Sequence, residues 1–303
     1  MKIASKILFK LNYYIFLLKY YFKYFYFKSF SKFPAIYTFD ETIQLIYGRQ
    51  LSISRFGDGE IRIISGSSIE FQDHNSILAK RLIEVICTNK AGIMIGLPDV
   101  FADLSVLKMA PQYFWKKHLS EYFNLWIKLT DSGKSYGNAF MSRPYIIYKT
   151  TTDAKNKFDT IKCLWNNRDL VIVEGEKTRL GVGNDLFYNA RSIERILCPN
   201  KNAFKFYNDI LTEITKLSKS KLFLLSLGPT ATVLAYDLFN LGFQALDIGH
   251  IDLEYEWYLR GTDKVIKLEN KFVNEVENGD PSNDFHDVVY QSQIYHVIPN
   301  DFS

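Results

Sequence analysis

Cysteine is scarce. The chain has three, Cys87, Cys163 and Cys198, far apart and without a C-x-x-C pair. That argues against a disulfide framework and predicts buried free thiols in a reducing compartment. The five histidines show no zinc-ligand spacing, which argues against a zinc enzyme. No apolar run near the N-terminus approaches the roughly 20 residues that span a bilayer; its longest uncharged run is Leu11 to Leu18. A small-residue cleavage site is missing too, so a signal peptide fits poorly. Residues 1–39 lack any acidic residue but carry seven lysines.

Much else is abundant. Hydrophobic residues make up 47% of the 303 and aromatics 16%, enough for a large core and too much for disorder. The net charge is +4, so the chain beyond the seven N-terminal lysines carries 4 − 7 = −3. A slightly acidic body argues against nucleic acid as a partner. The basic aromatic arm, residues 1–37, reads as an amphipathic helix with lysines for anionic headgroups and rings for the acyl boundary. Docking on its own domain or on a second subunit is the alternative. The expected location is the cytoplasm, peripheral on the inner face of the cell membrane.

Residues 38–275 form the expected main domain, and 276–303 a C-terminal extension. Short apolar runs alternate with amphipathic stretches. Strands are expected at "LSISRF", "AGIMIGLP", "DLVIVEG", "IERILCP", "KLFLLSLGP" and "QALDIG", with helices between them. A helix capped by Asp40 precedes the first strand, and "VVYQSQIYHVI" is a possible last element. This predicts an α/β, Rossmann-like, mostly parallel sheet with helices on both faces. The aromatics of "PQYFWKKHLSEYFNLWIKL" read as core packing. Ligands in such sheets bind beyond the carboxyl ends of the strands, so candidate site residues are expected just after them.

"SISRFGDGE" ends its strand in Arg55, Gly57, Asp58 and Glu60. Two converging carboxylates would suit Mg²⁺ or Mn²⁺ touching a diphosphate; the same pair would also suit the first turn of a helix. After "DLVIVEG" come Lys177, Arg179, Gly181, Gly183 and Asn184. A third dinucleotide-type glycine is replaced by Leu186, and the loop contains no G-K-[ST]. What remains is a generic anion cradle, or a solvated loop, with a new helix expected near Asn184. Gly228 and Thr230 open a helix headed by proline, where amides and hydroxyls could hold phosphate. His250, Asp252 and Glu254 follow the last strand, suggesting a general base or simply helix-cap residues. Arg143 interrupts a helical region and could grip phosphate.

The ordered segments S-R-F-G-D-G-E, N-A-F-x-S-R-P, V-E-G-x-x-[ST]-R-x-G-x-G-N-D-L-F, S-L-G-P-T-A-T-V-L-A-Y-D-L and D-I-G-H-I-D-x-E-Y-E-W together resemble the bacterial glycosyltransferases with the GT-D fold. The resemblance spans roughly residues 38–275. It implies a nucleotide-sugar donor, with UDP expected, a divalent metal (Mn²⁺ or Mg²⁺) at Asp58 and Glu60, and a glycan or lipid-linked acceptor. Asp252, His250 and Glu254 are then the candidate catalytic residues. Arg55, Gly57, Arg143, Lys177, Arg179, Gly181, Gly183, Asn184, Gly228 and Thr230 are the candidate nucleotide and phosphate ligands. Two rivals stand beside this reading: another nucleotide-dependent transferase, and a non-catalytic, membrane-tethered glycan-binding component.

Overall fold

The computed structural model describes residues 14–15, 18–29, 32–277, 279–281 and 286–299. Nine strands build one sheet: β1 (Ala35–Ile36), β2 (Ser52–Arg55), β3 (Ile93–Leu97), β4 (Ser135–Asn138), β5 (Asp169–Gly175), β6 (Ser192–Cys198), β7 (Leu222–Ser226), β8 (Gln244–Asp247) and β9 (Ile294–Val297). Their order is β1-β4-β3-β2-β8-β7-β5-β6-β9, and every pairing is parallel. Parallel neighbours need a crossover; helices supply most of them, while turns alone join β5 to β6, and the chain has helices before and between its strands. The helices are α1 (residues 18–29), α2 (Phe39–Arg49), α3 (Asp58–Ile64), α4 (Ser76–Ile86), α5 (Met109–Leu129), α6 (Ala154–Lys162), α7 (Tyr207–Thr215), α8 (Pro229–Asn240), α9 (Ile251–Leu259) and α10 (Val288–Ser292).

β3, β5 and β7 are largely apolar because helices cover both faces of the sheet. Successive side chains of a strand point to opposite faces. Leu170 and Ile172 of β5, with Leu222 and Leu224 of β7, enter one core; Val171, Val173, Phe223 and Leu225 enter the other. All eight are completely buried.

Local chemistry sets the boundaries. Thr38 caps α2 in a reciprocal box with Glu41, so the cap is Thr38 and not Asp40. Asn75 caps α4 by accepting from the amides of Ile77 and Leu78 at 2.9 and 3.0 Å. Pro229 opens α8 at a position where its missing N–H costs nothing.

Several expectations change. Residues 135–138 are a strand and 139–142 a 3₁₀ turn, so no helix is interrupted there. No helix starts at Asn184; the segment between β5 and β6 is a chain of turns. Cys87 and Cys163 are exposed, since each sits just past the last turn of a helix; only Cys198 is buried. The C-terminal segment adds α10 and then β9 beside β6.

Helix α1 packs on α5. Phe27 stacks on Phe123 with ring centroids 4.3 Å apart, Tyr20 donates to Glu121 at 3.2 Å, and Lys116 donates to Tyr21 at 2.6 Å. Its other face leaves Leu18, Phe22, Phe25 and Tyr26 exposed, Phe22 by 74%. Residues 1–13, 16–17 and 30–31 of the expected arm lie outside the described residues. Among the described residues no helix is long and apolar enough to cross a membrane.

Candidate active site

The sheet order changes direction between β2 and β8, with β3 and β4 on one side and β7, β5 and β6 on the other. That is where doubly wound sheets bind ligands. A cavity of about 960 Å³ opens there, lined by the loops that follow β2 through β8.

The loop after β2 supplies the acidic pair. β2 ends at Arg55, Gly57 is the N-cap residue, and α3 begins at Asp58. Glu60 turns back to accept the Gly57 amide at 2.7 Å, so it does cap the helix. Capping uses one of its oxygens, and both carboxylates still line the cavity. Among the described residues neither forms an ion pair. Burial, reinforced by the charge of Asp247, pushes the Glu60 carboxyl up to about 7. Burial also raises that of Asp58, although the nearby charges of Arg143 and Arg62 oppose it. Two desolvated, unpaired carboxylates are what a hard divalent cation would relieve.

Arg55 lines the same cavity but is already engaged. Its guanidinium spans β2, β8 and the end of β4, donating to Asp247 Oδ1 at 2.8 Å, to the Asp247 carbonyl at 2.5 Å, to the Ala139 carbonyl at 3.1 Å and to Ser142 Oγ. It works here as a clamp on three strand ends. Gly249 (φ +43°) permits this, because a Cβ there would collide with the guanidinium.

Arg143 makes a bidentate pair with Glu275, at 2.8 and 2.9 Å, and reaches Glu254 at 3.4 Å. Burial disfavours its charge, but Glu275 and Glu254 outweigh that and hold its pKa above the usual value. His250 faces the cavity too, with Nε2 2.9 Å from Asn274 Oδ1 and 4.0 Å from Glu275. Burial lowers its pKa despite Glu275, so the imidazole is neutral near pH 7.

The other two acids proposed as catalytic have structural partners. Asp252 is fully buried, salt-bridged to Lys271 at 2.6 Å, and accepts from the Gly181 amide and Asn184 Nδ2. Glu254 is fully buried beneath Arg143 and accepts the amides of Tyr145 and Ile146 at 3.0 and 2.8 Å. Burial pushes its carboxyl up to about 7.

The expected anion cradle after β5 is largely diverted. Lys177 pairs with Asp280 at 3.0 Å, and Arg179 donates to the Asn270 carbonyl at 2.9 Å. Gly181, Gly183 and Asn184 line a separate, smaller cavity of about 270 Å³. From that loop Gly175, Thr178 and Leu180 reach the main cavity instead. Gly228 lines it as well, whereas Thr230 is fully buried, and its hydroxyl has no hydrogen-bond partner among the described residues.

Thus Arg55, Gly57, Asp58, Glu60, Arg143, Gly228, His250 and Asp252 meet around one cavity; Lys177, Arg179, Gly181, Gly183, Asn184, Thr230 and Glu254 do not line it. Sequence reasoning missed Asp247, Asn274, Glu275, Phe71, Phe114 and Trp115. Asp247 ends an apolar strand, Asn274 and Glu275 sit where the chain turns polar, and the α5 aromatics follow a core-like period.

A family model for the glycosyltransferase GT-D fold matches residues 53–276. The chain is similar to glycosyltransferase GlyD of Streptococcus pneumoniae serotype 4, with 41% identity over 86% of this chain and 32% of that protein. It is similar to a probable glycosyl transferase, Gly, of Streptococcus gordonii, with 40% identity over 86% of this chain and 38% of that protein. The chain therefore spans about a third of the length of these curated relatives. A solved structure of the domain of unknown function 1792, described as a distinct glycosyltransferase fold, superposes with a TM-score of 0.87 at 40% identity, covering 91% of this chain and 100% of that one. A glycosyltransferase with this domain from Streptococcus sanguinis superposes with a TM-score of 0.84 at 38% identity, over 88% of this chain and 100% of that one. Family model, relatives and architecture agree: this chain belongs to the glycosyltransferase GT-D fold family.

Proposed function

We propose that the chain transfers a sugar from a nucleotide donor, with a UDP-sugar expected, to a hydroxyl of a glycan or lipid-linked acceptor. One observation carries this reading: Asp58 and Glu60 face a cavity of about 960 Å³ at the sheet's reversal point without a cationic partner among the described residues. Mn²⁺ or Mg²⁺ would be held by these two carboxylates, and when bound would offset charge on a departing diphosphate.

The chain's own residues supply the rest. In transfer, the bond between the anomeric carbon and the diphosphate oxygen breaks, and the electron pair leaves with the nucleoside diphosphate. The acceptor oxygen bonds to the anomeric carbon and gives up its proton. Neutral His250 can take that proton. With Asn274 Oδ1 accepting from Nε2–H, the lone pair lies on Nδ1. Arg143 is held at the cavity wall by Glu275 and Glu254, where it can meet phosphate oxygens. Arg55 keeps three strand ends in register.

The test is UDP release from UDP-sugars with Mn²⁺ or Mg²⁺. Asp58→Asn combined with Glu60→Gln should reduce release at least a hundredfold while circular dichroism stays unchanged. Full turnover in that variant would reject the metal site.

The arm supports action at the cytoplasmic face of a membrane. Exposed Leu18, Phe22, Phe25 and Tyr26 alternate with exposed Lys19 and Lys23, a pattern suited to an anionic bilayer surface.

A further inference from the structure

The sheet order divides the cavity into two flanks around Asp58 and Glu60. Beyond β8 lie Ser226, Gly228 and Asn200, polar groups suited to a nucleotide. Beyond β2, on the side of β3 and β4, the wall is different. It is made by the first two turns of α5 and by the segment after α9.

Phe114 and Trp115 stand there edge to face, with centroids 5.4 Å apart at 87°. Trp115 is buried and packs against Phe140, while Phe114 lies parallel to His118 at 6.3 Å and remains 45% exposed. Phe114 is therefore a braced ring with a free face. Asp263 and Lys264 line the same flank, and Lys108 donates to the Asp263 carbonyl at 2.7 Å, closing the wall. An aromatic face beside polar groups matches a pyranose, whose C–H face is apolar and whose edge carries hydroxyls.

We propose that this flank is the acceptor subsite, in which the acceptor's terminal sugar ring stacks on Phe114 beside the reaction centre. The assignment rests on the sugar-transfer reading for its role, but the binding itself can be measured alone. Phe114 is half-exposed, so Phe114→Ala should fold. The probes are methyl β-D-glucopyranoside and methyl N-acetyl-β-D-glucosaminide, followed by saturation-transfer NMR, with UDP and Mn²⁺ titrated separately by calorimetry.

The wild type should show transfer to the ring C–H protons of at least one probe. Phe114→Ala should cut that signal at least fivefold, Phe114→Tyr should restore it, and UDP affinity should stay within twofold in all three. Absence of signal from both probes, an unchanged signal in Phe114→Ala, or displacement of the glycoside by UDP would overturn the subsite. Failure of UDP to bind while the Phe114-dependent signal persists would instead overturn the donor reading and leave the subsite standing.

Discussion

At the scale of single residues, the acidic pair was legible and its surroundings were not. The D-x-E spacing singles out Asp58 and Glu60 as either a cation site or a helix's first turn; Glu60 does cap α3, and both carboxylates reach the cavity. Spacing cannot show that Asp252 would be spent on Lys271, or that Arg55 would be spent on Asp247, because those partners lie far away in sequence. Glu60 and Glu254 carry a consequence for stability. Burial first, then Asp247 for Glu60, pushes each carboxyl from an ordinary 4.5 up to about 7. Below pH 4.5 folded and unfolded chains are both protonated at these sites. Between 4.5 and 7 the unfolded chain releases protons that the folded chain keeps, so stability falls as pH rises through that window. Metal-free protein should lose on the order of 5 °C in Tm between pH 5 and pH 8. Glu60→Gln should flatten part of this decline, and calorimetric scans that show an identical slope in the variant would contradict the assignment.

At the scale of elements, apolar runs announced β3, β5 and β7, because a strand covered on both faces tends to be apolar along its length, while β2, β6 and β8 were read from shorter apolar or alternating stretches. β1 and β4 escaped notice: β1 has only two residues, and β4, Ser-Tyr-Gly-Asn, has one apolar side chain and no apolar run to read. The turns between β5 and β6 were mistaken for a helix start, since glycines and an Asn-Asp pair suit either. Their shape depends instead on a buried pair, Glu174 with Arg195 at 2.5 Å. Glu174 also accepts the Leu180 amide at 2.7 Å, and Arg195 donates to the Leu180 carbonyl at 2.9 Å. Removing one partner leaves an uncompensated charge inside. Arg195→Ala should cost about 3–5 kcal/mol. Glu174→Met with Arg195→Met should cost less than the single change, because the double variant buries no lone ion. Urea titrations of the three proteins decide it; a single variant within 1 kcal/mol of wild type would show the pair to be dispensable.

At the scale of the whole molecule, alternation of strands and helices predicted the sheet, but not its order. Only the order shows that the β2 and β8 loops face one another and that a cavity opens between them. The arm was legible as amphipathic, yet its lysines and rings do not say which face meets protein. The fold shows that Tyr24 is buried and Phe27 stacks on Phe123 of α5, while Phe22 and Phe25 are exposed. Changing the outward face leaves the docked one intact. Wild-type protein should sediment with vesicles containing phosphatidylglycerol at moderate salt, and Phe22→Glu with Phe25→Glu should remain in the supernatant. Equal sedimentation of the two, or none by the wild type, would remove the membrane reading.

The first and last strands, β1 and β9, form the two outer edges of the sheet. With neighbours about 4.8 Å apart, eight steps separate them by roughly 40 Å. Additional modules fused before β1 or after β9 would therefore depart from opposite flanks and need not compete for space. The cavity near the middle would stay open to solvent between them, so the unit could be built into a longer polypeptide without being shut by its neighbours.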